Sequence, residues 1–200
     1  MLLDVFCHKN CKQWLADLMP AYNSMLLVGN STENISPLKE AVNYFFQGET
    51  IEDWHNAARE IIIPVCYDQT LGNDLERMAA FHQVAVETIV AVHHQVTYHV
   101  YMLGFLPGFA YMGEVNEQIA TPRKAVPVPT RAGAVGIAGI QTGIYPLDSP
   151  GGWNIVGYTP LKMFDISMPS PTFLAPGNAV KFMAIDLITY NSMLKDDGSY

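Results

Sequence analysis

Residues 136–160 read GIAGIQTGIYPLDSPGGWNIVGYTP, and this stretch decides the fold. Its glycines allow close backbone approach, and Pro146, Pro150 and Pro160 fix φ and remove amide donors. A helix does not tolerate this composition, whereas short strands joined by tight turns do. Gln141, Thr142, Tyr145, Asp148, Trp153 and Asn154 then project from a shaped backbone as donors, acceptors and flat apolar faces. That mixture suits a concave small-molecule site, and equally a set of barrel turns plugged by Tyr145 and Trp153.

Working outward, the same texture holds across the C-terminal half. Residues 96–106 have strand composition, and short apolar runs recur at 135–140, 154–158, 162–166 and 180–185 between Gly and Pro breaks. The spacing predicts a closed or nearly closed β-barrel over 96–200. Towards the N-terminus the pattern changes. Residues 11–18 read as the end of an amphipathic helix stopped near Pro20, 24–28 as a strand, and Ser36-Pro37 as the cap and first turn of a helix running to Phe46. Residues 61–67 are apolar and β-branched enough for a buried strand, with Pro64 suggesting an edge or a bulge. Asp74 opens a helix with Leu75, Met78 and Ala79 on one face, and a second helical run aligns Val86, Ile89, Val90 and His93. Residues 48–58 carry no clear pattern. The expectation is an α+β protein: a small N-terminal α/β domain over 1–95, then the barrel domain over 96–200.

Composition excludes several classes. The chain has 200 residues, half of them hydrophobic, and a net charge of −8, which disfavours nucleic acid and anionic lipid as partners. No run approaches the ~18 apolar residues of a membrane span, and MLLDVFCHKN has no signal-peptide pattern. The expected location is cytoplasmic. Cys7, Cys11 and Cys66 cannot all pair, so reduced thiols are expected. Cys7, His8 and Cys11 lack the spacing and the second ligand pair of a zinc site, and one helical face accounts for them better. P-loop, dinucleotide-binding, nucleophile-elbow and biotin-carrier motifs are all missing.

Several ordered motifs carry a family resemblance. LGFLPGFAY at 103–111, Thr121-Pro122-Arg123, AGAVGIAGIQTGIYP at 132–146 and SPGGWNIVGYTP at 149–160 resemble the B subunit of bacterial ATP-dependent 5-oxoprolinase. That family is also called allophanate hydrolase subunit 1 and includes an inhibitor of a sporulation sensor histidine kinase. IPVCYD at 63–68, LGNDLERMA at 71–79 and PGNAVKF at 176–182 extend the likeness. The resemblance implies that the barrel is cyclophilin-like. It also implies a subunit inactive alone, which helps to cleave 5-oxo-L-proline to L-glutamate with ATP and Mg at a site shared with a C-type subunit, an A subunit also being required. The same paired domains occur in biotin-dependent urea carboxylase, a second enzymatic reading, and kinase inhibition is a non-enzymatic third. Departures are visible: members usually begin with a strand before the first helix, so the N-terminal sheet is expected to be a strand short. Of two usual Pro-Arg pairs only Pro122-Arg123 is intact, with Arg131 near the second. Ala134 and Asn178 replace the usual Ser and Asp.

Opening an unstrained lactam needs anion stabilisers and a positioned water. Arg123, held by Pro122, is the first candidate for a carboxylate or phosphate clamp, because its fork bonds two oxygens at once; the alternative is a surface arginine paired with an acid. Gln141 and Thr142 offer an amide and a hydroxyl to a substrate ring or oxyanion. Gly108, Phe109, Tyr145, Gly151, Gly152 and Trp153 are expected to shape and wall the pocket. His93 lies where the family commonly has a histidine and is a candidate general base, or else a packed helix-end histidine. Asp148 is read as capping a turn. No metal ligands are assigned.

Overall fold

Isoleucine and valine crowd the run EIIIPVC, and it forms a strand, β3 (Glu60–Cys66), buried from Ile63 onward. The computed structural model describes residues 2–22, 24–48 and 60–195. They belong to two compact units, Met1–Ala58 and Arg59–Tyr200.

The first unit contains α1 (Leu2–Asn10), β1 (Leu15–Pro20), β2 (Met25–Gly29) and α2 (Ile35–Gly48). The expected helix over 11–18 is not there. The chain leaves the helix at Asn10, and Leu15–Pro20 pairs antiparallel with Met25–Gly29, Leu18 opposite Leu27. Backbone partners distant in sequence override the local helical pattern. Asn30 secures the crossing: its amide N–H donates to the Trp14 carbonyl and its Nδ2 to the Gln13 carbonyl, both at 2.9 Å. Strand 25–29 and helix α2 follow the expectation, although α2 opens from a 3-10 turn and places Ser36 and Pro37 inside its first turn. Cys7, Cys11 and Leu38 form the core, with Phe6, Trp14, Leu18 and Leu27 packed on it. Both thiols are reduced, and burial raises the Cys11 pKa, opposed by its bond to Cys7.

The second unit is a closed barrel. Besides β3 it contains α3 (Leu75–His82), α4 (Val86–Gln95), β4 (Thr97–Leu103), β5 (Ala110–Gly113), β6 (Val128–Thr130), β7 (Ala134–Ala138), β8 (Gln141–Ile144), β9 (Ser149–Gly151), β10 (Asn154–Tyr158), β11 (Ala179–Ile185) and α5 (Leu187–Lys195). The barrel order is β10-β3-β11-β4-β5-β8-β7; β6 and β9 form a separate ribbon. Every barrel pairing is antiparallel except β3 with β11.

The compact units therefore part between Ala58 and Arg59, not near residue 95. Strand β3 pairs along its whole length with β11, and Leu75, Met78 and Ile89 of α3 and α4 share one core with Val100, Ile137, Ile144 and Phe182. The change of texture near 95 marks helices giving way to strands within one unit. Pro64 is tolerated because β10 meets β3 only at Tyr158 and Cys66, leaving one side of the proline without a ladder. Residues 162–166, strand-like in sequence, make a loop with one isolated bridge, Phe164 to Thr172. Asp165 explains it: its carboxylate accepts from Lys162 Nζ at 2.8 Å and from Ser167 N and Oγ at 2.9 and 2.7 Å, which closes a turn. Those bonds hold its pKa well below the usual carboxylate range. No helix among the described residues is long and apolar enough to cross a membrane. Residues 49–58 of the unclear stretch lie outside the described residues.

Candidate functional site

Strands alternate faces, so Tyr111, Gly143, Gly136 and Ile155 line up as one row across β5, β8, β7 and β10. The two middle positions lack side chains, and aromatic groups fill the space. A Cβ on Gly143 would stand 2.7 Å from the Ala110 carbonyl oxygen and 3.1 Å from the Phe109 ring. Phe109 is fully buried and central: its ring centroid lies 4.8 Å from Tyr111, 5.1 Å from Tyr145 and 5.2 Å from Trp153, the last two edge-on. Tyr111 and Trp153, 5.8 Å apart, are half-buried and form the accessible margin. Tyr145 packs against Gly151 and accepts a hydrogen bond from the Trp153 backbone amide. Burial raises the pKa of both Tyr111 and Tyr145, and Arg123 opposes the rise.

Arg123 reaches this shelf from a fixed segment. Asn154, fully buried on β10, donates from Nδ2 to the carbonyls of Thr121, Pro122 and Ile137 at 3.2, 3.1 and 2.9 Å, while Arg77 donates to its Oδ1. On the other side of Arg123, Lys124 N donates to the Gly152 carbonyl at 2.7 Å, and Lys124 Nζ bonds Asp74 Oδ2 at 2.7 Å. The same Asp74 oxygen accepts from Ile155 N at 2.7 Å. Residues 121, 122 and 124 are thus all tied down. The Arg123 side chain itself is exposed and makes no hydrogen bond or ion pair among the described residues. Its Nη2 and Nε lie 3.2 and 3.3 Å from where a Cβ on Gly152 would stand, so the guanidinium rests on a glycine.

His93 and Thr142 are elsewhere. Thr142 points into the barrel core, because it precedes Gly143 on an alternating strand, and it donates to the Gly136 carbonyl at 3.1 Å. With its proton spent, Thr142 Oγ1 accepts from His93 Nε2 at 2.9 Å, and His93 Nδ1 accepts from Tyr67 Oη at 2.8 Å. The imidazole is fully buried and stacks on Phe182, centroids 4.8 Å apart. Burial, and secondarily the charge of His94, lowers its pKa to about 3. It is a neutral strut between α4, the residue just past β3, and β8 with both ring nitrogens engaged, which leaves it no means to meet a substrate.

The family model of the carboxyltransferase domain, subdomain C and D, matches residues 4–174. The 5-oxoprolinase B subunit of Bacillus subtilis strain 168 is 38% identical over 187 residues, covering 88% of this chain and 78% of that protein. The chain belongs to the family of 5-oxoprolinase B subunits. Among solved structures, TTHA0988 superposes with a TM-score of 0.74 at 34% identity, covering 92% of this chain and 36% of that one. This chain therefore spans little more than a third of TTHA0988. The urea carboxylase of Kluyveromyces lactis matches at a TM-score of 0.75 with 16% identity, over 98% of this chain and 20% of that one, a likeness of fold alone.

In this member of the 5-oxoprolinase B family the motif residues separate into groups. Arg123, Phe109, Tyr145, Gly151, Gly152 and Trp153 come together with Tyr111, which in the sequence is one aromatic among many. Gln141 shares the strand face of Gly143, two residues away and half-buried, whereas its neighbour Thr142 faces the core. Gly108 adopts φ +83° in the turn before Phe109, packed against Met163 and Phe164. Arg131 stacks 5.2 Å over the Tyr158 ring. Asp148 accepts from the Ala132 backbone amide at 2.8 Å and so braces one loop against another. The supporting residues Asn154, Asp74 and Lys124 are not legible as a group in the sequence: they are dispersed along it, and only their hydrogen bonds unite them.

Proposed function

We propose that this chain is a non-autonomous subunit of an ATP-dependent 5-oxoprolinase, which cleaves 5-oxo-L-proline to L-glutamate with ATP hydrolysis at a site shared with a C-type subunit. One observation carries the reading within this chain: Arg123, which makes no hydrogen bond or ion pair among the described residues, stands on a fixed segment over Gly152 and within electrostatic reach of Tyr111, whose half-buried ring neighbours that of Trp153. A guanidinium fork matches a carboxylate, and flat rings match the faces of a small lactam. The side-chain amide of Gln141 lies on the same strand face, where it can donate to or accept from a lactam.

The same geometry accounts for dependence on partners. Arg123, Gln141, Tyr111, Tyr145 and Trp153 include no histidine and no carboxylate, and the buried histidine His93 is committed to the core. General acid and base then come from the C-type subunit. ATP with Mg is assigned to the complex as a whole, because one arginine fork does not make a nucleotide site. The likeness to urea carboxylase concerns the fold and selects no chemistry.

The test is co-expression with the cognate A and C subunits, beside the mixture lacking this chain, measuring oxoproline-dependent ATP hydrolysis and glutamate release. Activity only in the complete mixture is expected. A folded complete complex without activity would overturn the proposal.

A further inference from the structure

The bonds around Arg123 are unevenly distributed. The carbonyls of the two residues before it are held by a fully buried amide, the residue after it is held through both backbone and side chain, and its own side chain is left free among the described residues. A surface arginine needs no such support. Asn154 is also unusual in spending its whole amide on backbone carbonyls from two separate segments, with Arg77 on its oxygen. Removing that amide would leave the part-buried Pro122 carbonyl, next to Arg123, without its Asn154 donor, while the Thr121 carbonyl keeps only the Gly139 amide at 2.8 Å, so the segment would loosen at Pro122. Gly152 adds a steric requirement: a Cβ there would meet Nη2 and Nε at 3.2 and 3.3 Å and the Lys124 carbonyl oxygen at 3.3 Å, so the guanidinium would have to move off the position it holds on the glycine.

We propose that Asn154 and Asp74 are positioning residues that hold Arg123 as a preset arm for the carboxylate of a small ring ligand, with Gly152 as the surface on which the guanidinium lies. The ligand class rests on the proposed function; the positioning does not. An arm fixed before binding loses less conformational freedom when the ligand arrives, so its value falls on substrate affinity.

Two measurements test this. Hydrogen exchange on the isolated chain reads the positioning directly: Asn154→Asp should speed exchange of the Lys124 amide at least tenfold, with β11 amides unchanged. Unchanged exchange at Lys124, or equal acceleration in β11, overturns the positioning role. In the assembled complex, Gly152→Ala should raise KM for 5-oxoproline about tenfold with kcat within twofold, and should add nothing in an Arg123→Ala background. An equal effect in both backgrounds overturns the proposal, as does undiminished discrimination between 5-oxoproline and its carboxamide in Arg123→Ala. A complex with no turnover of 5-oxoproline sinks the functional reading, and the exchange rates still decide the positioning.

Discussion

Gly143 and His93 show how single positions set the character of the two faces of the barrel wall. At Gly143 the missing Cβ admits the Phe109 ring and the Ala110 carbonyl, and the latter is backbone held in the pairing of β5 with β8. Gly143→Ala is expected to destabilise the chain by about 2 kcal/mol through overpacking, read as a lower urea midpoint with the m-value unchanged. His93 makes a different prediction. Unfolded, an imidazole takes up its proton below about pH 6.5, whereas folded His93 stays neutral down to about 3. The unfolded state therefore binds more protons in that window, so this group costs nothing above pH 6.5 and lowers stability as pH falls towards 3. His93→Gln should flatten that dependence by up to one proton, about 1.4 kcal/mol per pH unit, in melts compared from pH 7 to 4. From sequence, a histidine on an apolar helical face fits both a base and a strut. The hydroxyls of Tyr67, just past β3, and Thr142 of β8 decide between them.

Between elements, the Asp74 carboxylate joins α3, β10 and the segment before β6. Its position at the start of α3 is legible in the sequence, yet it makes no side-chain cap there; its oxygens go to Ile155 N, Lys124 Nζ and, at 3.5 Å, Arg77. Asp74→Ala is expected to cost about 2–3 kcal/mol, because it strands a part-buried ammonium and a backbone amide, and calorimetric melting of the isolated chain checks it. Elements set by local pattern are the legible ones: α2, α3, α4, β2, β7 and β10 stand close to where periodicity places them. Strand β1 mimics a helix because Leu15 and Leu18, three apart, satisfy a helical face as well as a bulged strand, and only pairing with β2 distinguishes the two. Gln141 and Thr142 look like one polar unit in the sequence, but adjacent strand residues face opposite sides.

For the molecule as a whole, all seven barrel strands fall between residues 60 and 185. A chain of residues 59–200 is expected to fold alone, with one cooperative transition and native near-ultraviolet circular dichroism; a non-cooperative melt would contradict it. Composition, the Gly- and Pro-rich strands, the family motifs and most candidate residues were determined by the sequence itself, because strand period, turn chemistry and motif order are local properties. The boundary between the units, the burial of His93, the separation of Thr142 from Gln141 and the support of Arg123 were decided only by tertiary structure. Each depends on partners far apart in the chain, such as β3 with β11 or Asn154 with Pro122, and such pairings become fixed only when the barrel closes.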